Sequence, residues 1–163
     1  MQEYISQIND FHLPRYSELP TIELYSDQLI SYINSNLQLI SVDKPLTTAM
    51  INNYVKNGLI SKSNNKKYNR NHIAYLIVVY IFKQIYSIEE IRQMINIQIS
   101  VFDIETAYDY FAIELENALK CVLNHQTTND STTTNNEIRL FVHNSVLSFA
   151  YRLQVIKMIE FNK

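Results

Sequence analysis

The sequence predicts an all-α protein on the strength of three observations. The chain of 163 residues has only one glycine and three prolines, whereas tight turns and closed sheets use glycine for positive φ angles. Apolar side chains recur at helical spacing through most of the chain. They make up 47% of the residues, which is enough to bury a core in one domain, or in one domain with an appendage.

Residues 1–20 are predicted to form a short N-terminal arm. Four apolar residues of this arm have the spacing of one helical face: Tyr4, Ile5, Ile8 and Phe11. Pro14 and Pro20 end or restart this helix. A second helix is predicted over residues 22–39 from a helical stripe at Leu24, Leu29, Ile33, Leu37 and Ile40.

A helix predicted over residues 48–57 has signals at both ends. The Thr47 hydroxyl can accept a hydrogen bond from a free amide of the first turn, and Gly58 stands where a helix end needs a positive φ angle. Its apolar stripe consists of Met50, Ile51, Tyr54 and Val55. Leu59 and Ile60 are expected to return to the core.

The polar and basic residues 61–69 predict a hairpin or loop, and the apolar residues after them predict a central buried helix over residues 71–85. A buried strand remains an alternative for this stretch because it is rich in β-branched residues. His72, in the first turn, is expected to be an exposed polar residue. Ser87 and Glu90 form a capping box that predicts the start of the next helix.

Two long helices are predicted at the C-terminus. Apolar residues recur every three or four positions at Ile104, Tyr108, Phe111, Leu115, Ala118 and Val122, and again at Val142, Val146, Phe149, Leu153 and Ile156. Joined by a Thr/Asn-rich loop over residues 125–136, they predict an antiparallel helical hairpin. Their apolar seam could pair within the chain, which is the default expectation, or across a dimer.

The basic residues concentrate in the middle of the chain. Residues 44–88 contain seven Lys or Arg and no Asp or Glu, although the formal net charge of the whole chain is −2. The seven are Lys44, Lys56, Lys62, Lys66, Lys67, Arg70 and Lys83. Such an asymmetry indicates a polyanionic partner, most often nucleic acid, or a solvated face that pairs with acidic groups elsewhere in the fold.

Five short segments resemble the winged helix-turn-helix of MerR-type proteins. They are Leu46-Thr47, Tyr54–Ile60, Lys66–Tyr68, Asn71–Leu76 and Tyr86–Ile91. The resemblance implies a MerR-like fold in which residues 48–57 form the recognition helix and the basic loop forms a wing, with a short β wing as an option. In MerR proteins that helix usually presents two arginines to DNA, whereas the matching positions here are Ala49 and Asn52.

Over roughly residues 10–120 the chain also resembles a bacterial family known mainly as a domain of unknown function. The segments that carry this resemblance are Glu18–Pro20, Tyr25–Gln28, Met50–Tyr54 and Lys67–Met94. It implies a MerR-related fold and no established activity. The predicted organisation is therefore an arm over residues 1–20, a MerR-like winged-helix domain over 21–97, and a helical hairpin over 98–163 that is a candidate dimerisation element.

The resemblance and the charge together predict a DNA-binding protein, namely a bacterial transcription regulator that acts as a homodimer. The predicted DNA contacts are Thr48, Asn52, Asn53, Lys56, Lys62, Lys66, Lys67 and Arg70. The basic side chains would meet phosphates, which position a protein without reading sequence. Asn52 and Asn53 could reach base edges in the major groove, where asparagine pairs well with adenine.

Two alternatives remain open beside DNA binding. The missing arginines and the heptad-like C-terminal helices favour a protein-interaction or dimerisation module that no longer binds DNA. A small-molecule effector site would need several tyrosines to line one pocket: Tyr75, Tyr80, Tyr86, Tyr108, Tyr110 and Tyr151. The commoner arrangement is an aromatic core with its hydroxyls at the surface.

An enzyme is not expected, and neither is a cofactor or a metal. The sequence has no glycine-rich phosphate loop, and its four histidines lack the spacing of metal ligands. The single cysteine, Cys121, permits no disulfide within the chain. Without a signal peptide or an apolar run long enough to span a bilayer, the protein is expected in the cytoplasm.

Overall fold

The computed structural model describes residues 1–126 and 137–162. These residues form seven α-helices and one antiparallel pair of two-residue strands, which confirms the expectation of an all-α protein. In chain order the elements are α1 (Gln2–Asn9), β1 (Leu24–Tyr25), α2 (Ser26–Leu37), α3 (Thr48–Lys56), β2 (Lys67–Tyr68), α4 (Arg70–Phe82), α5 (Ile88–Ile99), α6 (Ile104–Leu123) and α7 (Glu137–Phe161).

The chain divides into two compact units. One comprises Pro14–Tyr108, and the other comprises Met1–Leu13 together with Asp109–Lys163. Within the second unit, the amide of Leu13 donates to the buried carboxylate of Glu116 at 2.8 Å. The predicted divisions after residues 20 and 97 do not coincide with these units, because long-range contacts of this kind leave no periodic signal in the sequence.

Helix α4 is the centre of the first unit. Nine of its thirteen residues are buried, from His72 to Phe82, and they occupy all sides of the helix. A helix that is apolar all round is stable in water only when neighbouring elements cover it. The prediction of a central buried helix is confirmed, and the alternative of a buried strand is wrong.

Helix α2 begins later than predicted. The predicted start was residue 22, but Leu24–Tyr25 is extended and pairs antiparallel with Lys67–Tyr68, in the register Leu24 to Tyr68 and Tyr25 to Lys67. The helix therefore starts at Ser26. The helical stripe through Leu24 could not reveal this, because one buried residue fits a strand as well as a helix.

The basic segment, residues 61–69, closes as a hairpin without a glycine. The main chains of Asn64 and Lys67 exchange two hydrogen bonds of 2.9 Å, which leaves Asn65 and Lys66 as a two-residue turn. Their φ angles are +49° and +63°. Two successive left-handed residues are typical of a type I′ turn, where glycine normally follows asparagine. Residues 61–69 are called the basic hairpin below.

Helices α6 and α7 run in the same direction. The Tyr110 hydroxyl contacts the main-chain oxygen of Arg139, Glu114 contacts His143 at 2.7 Å, and Gln154 donates to the main-chain oxygen of Val122. Contacts therefore advance together along both helices. The prediction of an antiparallel hairpin is wrong in direction, because apolar periodicity defines a face and carries no information on polarity.

The predicted loop over residues 125–136 lies outside the described residues apart from its first two. Among the helices of the described segments, none is long and apolar enough to cross a membrane.

Candidate nucleic-acid interface

Helix α3 is fixed at both ends by the residues that the sequence singled out. The Thr47 hydroxyl accepts a hydrogen bond from the amide of Met50 at 3.3 Å. Gly58 has a φ angle of +72°, as the residue after a helix end requires. The guanidinium of Arg92, on α5, also donates to the main-chain oxygen of Asn57. The first two features define the ends of α3, and the Arg92 bond joins its C-terminal end to α5.

One face of α3 is exposed and carries three of the predicted DNA contacts. Thr48, Asn52 and Lys56 are spaced four residues apart, so they form a single polar stripe. Ile51 and Tyr54 face the core, at 0% and 2% exposure. Burial of these two apolar side chains leaves the opposite stripe in solvent, available to a partner.

Asn53 differs from Asn52 in its local bonding. The side-chain amide of Asn57 donates to the Asn53 carboxamide oxygen at 3.0 Å and to its main-chain oxygen at 2.8 Å. Asn53 remains exposed, but its side-chain oxygen already has a partner. Of the two asparagines, Asn52 is therefore the better candidate for contact with a base.

The turn of the basic hairpin lies beside the start of α3. Lys66 and Thr48 line one groove, together with residues at the start of α2: Tyr25, Ser26, Asp27, Ile30 and Ser31. The first turns of α2 and α3 both border the groove, and a helix N-terminus carries a partial positive charge. The Asp27 carboxylate offsets part of that charge.

The other two lysines of the basic hairpin, Lys62 and Lys67, differ in their exposure and contacts. Lys62 is exposed at the start of the segment. The Lys67 ammonium lies 5.2 Å from the centre of the Tyr25 ring, across the β1–β2 pair. Such a cation–π contact is weak when it is exposed, so Lys67 can still reach a phosphate.

Arg70 is half-buried, and its side chain forms bonds within the fold. Its guanidinium donates to the main-chain oxygen of Leu19 at 3.0 Å and lies 5.3 Å from the centre of the Tyr16 ring. These contacts tie the first residue of α4 to the segment before β1. These bonds use part of the Arg70 guanidinium within the fold, which a charge pattern cannot reveal, and its contact with phosphate stays a prediction.

His72 is the residue that sequence reasoning missed. It was expected to be exposed, but it is only 6% exposed, and both ring nitrogens have polar neighbours in the basic hairpin. One signal was present: Asn69 precedes the apolar helix and His72 follows three residues later, which is the spacing of a capping box. Only Glu or Gln is usually sought at that third position.

Three of the six predicted effector tyrosines, Tyr80, Tyr108 and Tyr110, use their hydroxyls within the fold. The Tyr80 hydroxyl donates to the main-chain oxygen of Lys44 at 3.1 Å, and that of Tyr108 to Pro14 at 2.8 Å. Both belong to the unit Pro14–Tyr108, whereas Tyr110 bonds within the other unit. This bonding matches the aromatic-core alternative, in which the hydroxyls reach main-chain acceptors.

The fold defines a helical domain in which a two-residue hairpin turn lies beside the first turn of a helix with one exposed polar face. A family model described as "Domain of unknown function (DUF1836)" matches residues 14–111. The chain belongs to this family, which confirms the resemblance to a domain of unknown function. A search of curated proteins found no match, and neither did a search of solved structures.

The family match and the first compact unit nearly coincide. The match spans residues 14–111 and the unit spans Pro14–Tyr108. All eight predicted DNA contacts lie within both. The candidate interface therefore lies inside the matched region, whereas α1 and α7 lie outside it.

Proposed function

We propose that this protein binds double-stranded DNA and regulates transcription as a homodimer with a MerR-like winged helix-turn-helix. In this proposal α3 is the recognition helix and the basic hairpin is the wing. The observation that carries it is the stripe of Thr48, Asn52 and Lys56 with Lys66 beside its first turn. Each of these residues is exposed.

The cross-section of α3 suits the major groove. An α-helix with its side chains is about 10–12 Å in diameter, and the major groove of B-DNA is about 12 Å wide. In that position Asn52, in the middle of the stripe, can offer its carboxamide to the N6 and N7 atoms of an adenine. Lys56 and Lys66, at opposite ends of α3, then lie toward the phosphates on the two sides of the groove.

The charges support binding that depends on salt. In this proposal the phosphate contacts are Lys56, Lys62, Lys66 and Lys67, because the Arg70 guanidinium already bonds to Leu19. Each phosphate neutralised by a lysine releases counterions, so the logarithm of the affinity falls by about 0.9 per contact for each tenfold rise in salt. Four contacts predict a slope of roughly −3.6.

The test is selection from a pool of random-sequence DNA duplexes at two salt concentrations. The proposal expects an enriched motif in the retained duplexes and an affinity that falls steeply as salt rises. Asn52→Ala should relax the motif more than it lowers affinity, and Lys56→Ala should lower affinity for all sequences. Lys120→Ala, in α6, is the matched control. Absence of binding by the parent protein at low salt would refute the proposal.

A second candidate function is a protein-interaction module on the same scaffold. It is favoured by exposed apolar residues on α7, each 45–53% exposed: Tyr151, Val155, Met158 and Ile159. These residues recur every three or four positions and so share one face of α7, and exposed apolar faces mark interaction sites. In that case the parent protein retains no duplex at low salt, and substitutions on α3 leave its association with partner proteins unchanged.

A further inference from the structure

The imidazole of His72 contacts the start of the basic hairpin through Nε2. This atom lies 3.1 Å from the hydroxyl oxygen of Ser61 and 3.1 Å from the main-chain oxygen of Lys62. A main-chain oxygen can only accept, so Nε2 carries a proton whenever it bonds to Lys62. The imidazole is thereby attached to the first residues of the segment.

The other ring nitrogen contacts the end of the same segment. Nδ1 accepts a hydrogen bond from the amide of Asn69 at 3.1 Å, and the Asn69 side-chain oxygen lies 2.9 Å away. That oxygen also accepts from the amide of His72 at 3.2 Å, which caps α4. The ring packs edge-on against Tyr68, with 5.4 Å between centres. One buried side chain thus joins both ends of the basic hairpin.

The turn between those ends is strained. Asn65 and Lys66 both have positive φ angles, and a lysine rarely adopts this conformation. Local strain persists only where the surrounding structure fixes the backbone. In the basic hairpin, the fixed points are the Asn64–Lys67 hydrogen bonds, the pairing of β2 with β1, and the ring of His72.

We propose that His72 is a positioning residue. Its imidazole bonds to both ends of the basic hairpin and so holds Lys66 in the groove beside Thr48. Its effect on DNA binding rests on the proposed function, whereas its effect on the order of the hairpin does not. His72 itself touches no partner, because it is buried beneath the segment.

Limited digestion with trypsin tests whether His72 holds the two ends of the basic hairpin together, and it needs no ligand. The hairpin contains cleavage sites after Lys62, Lys66 and Lys67. His72→Phe retains a ring against Tyr68 but removes both nitrogens. It should raise the cleavage rate in the hairpin about tenfold, because cleavage follows the population of locally opened chain. His72→Gln places an amide donor near the position of Nε2 and should restore much of the protection.

Cleavage after Arg92, in α5 of the same compact unit, is the internal control. The proposal predicts that this rate is unchanged in His72→Phe. Equal acceleration at Arg92 and in the hairpin would mean that His72 supports the whole unit and would overturn the proposal. Unchanged cleavage in the hairpin would overturn it as well. Nitrogen-15 chemical shifts of the ring give an independent readout, because hydrogen bonds at Nδ1 and Nε2 move both signals in the parent protein.

The link to DNA binding is tested by combining substitutions. In the parent background, Lys66→Ala and Lys56→Ala should each weaken binding. In the His72→Phe background, Lys66→Ala should have little further effect, because Lys66 is no longer held, whereas Lys56→Ala should still weaken binding. Equal effects of Lys66→Ala in both backgrounds would exclude the positioning role. If the parent protein binds no DNA, the proposed function fails, and the digestion experiment alone tests whether His72 holds the hairpin together.

Discussion

The side chain of Asn34 forms two hydrogen bonds with the main chain of Leu46. Its carboxamide oxygen accepts from the Leu46 amide at 2.8 Å, and its nitrogen donates to the Leu46 oxygen at 3.1 Å. Leu46 immediately precedes Thr47, the cap of α3. A residue of α2 therefore fixes the point at which the candidate recognition helix begins.

Asn34→Ala is expected to lower the free energy of unfolding by about 1–3 kcal/mol, because two partly buried main-chain groups lose their partner. Urea denaturation followed by circular dichroism measures the change. Ser35→Ala, an exposed neighbour on α2, is the control and should change the free energy of unfolding by less than about 0.5 kcal/mol. Similar effects of the two substitutions would show that the Asn34 bonds contribute little.

Lys66→Gly is expected to raise the stability of the protein and to weaken its binding to DNA. Glycine adopts a φ angle of +63° without strain, so the free energy of unfolding should rise by about 1 kcal/mol. Affinity for duplex DNA should fall, because the cation is lost. Lys62→Gly is the matched control, since Lys62 is not among the residues with positive φ. It should lower stability slightly, and a gain in stability there would refute the strain argument.

Arg70→Ala and Lys56→Ala are expected to differ in their effects on stability and on the salt dependence of DNA binding. Loss of the Arg70 bond to Leu19 should lower the free energy of unfolding by about 1–3 kcal/mol and leave the salt dependence of DNA binding unchanged. Lys56 is exposed, so its loss should spare stability and reduce the salt slope by about 0.9. Titration of a duplex at four salt concentrations distinguishes them, and a reduced slope for Arg70→Ala would restore Arg70 as a phosphate contact.

Tyr54 is expected to make the protein less stable in alkali. Burial, with smaller effects from Tyr80 and Asp43, raises the pKa of the Tyr54 phenol from 10.0 to about 12. Between pH 10 and pH 12 the unfolded chain therefore releases this proton more readily than the folded one, so stability falls as pH rises and is unaffected below that range. Urea denaturation at pH 7, 10 and 11 measures the fall.

Tyr54→Phe provides the comparison, because it keeps the buried ring and removes the titrating group. Its stability should fall less steeply above pH 10 than that of the parent. Other buried tyrosines, including Tyr80, have raised pKa values and continue to contribute. An identical decline in both proteins would mean that Tyr54 does not release its proton differently in the folded and unfolded states.

Much of the fold could be predicted because helix ends and buried faces are encoded locally. The caps at Thr47 and Ser87 and the glycine at residue 58 lie where the sequence indicated. These signals act over three or four residues, so no distant partner is needed to interpret them. The exposed stripe of α3 follows from the same periodicity.

The candidate site was only partly predictable. Six of the eight predicted contacts are exposed, and Lys67 is half-buried. Arg70 is also half-buried, and its guanidinium donates a hydrogen bond to the main-chain oxygen of Leu19. Nothing within a few residues of Arg70 distinguishes it from Lys67, because its acceptor lies 51 positions away. His72 was misjudged for a related reason, since Ser61 and Lys62 approach it only after the hairpin closes.

Local signals along the chain encode the helical class, the start and end of α3, the burial of α4 and the concentration of positive charge between residues 44 and 88. Three features emerge only on folding: the pairing of β1 with β2, the bonds of Arg70 and His72 within the fold, and the parallel direction of α6 and α7. The difference is physical: caps and helical faces depend on neighbouring residues, whereas these features depend on groups that only the folded chain brings together.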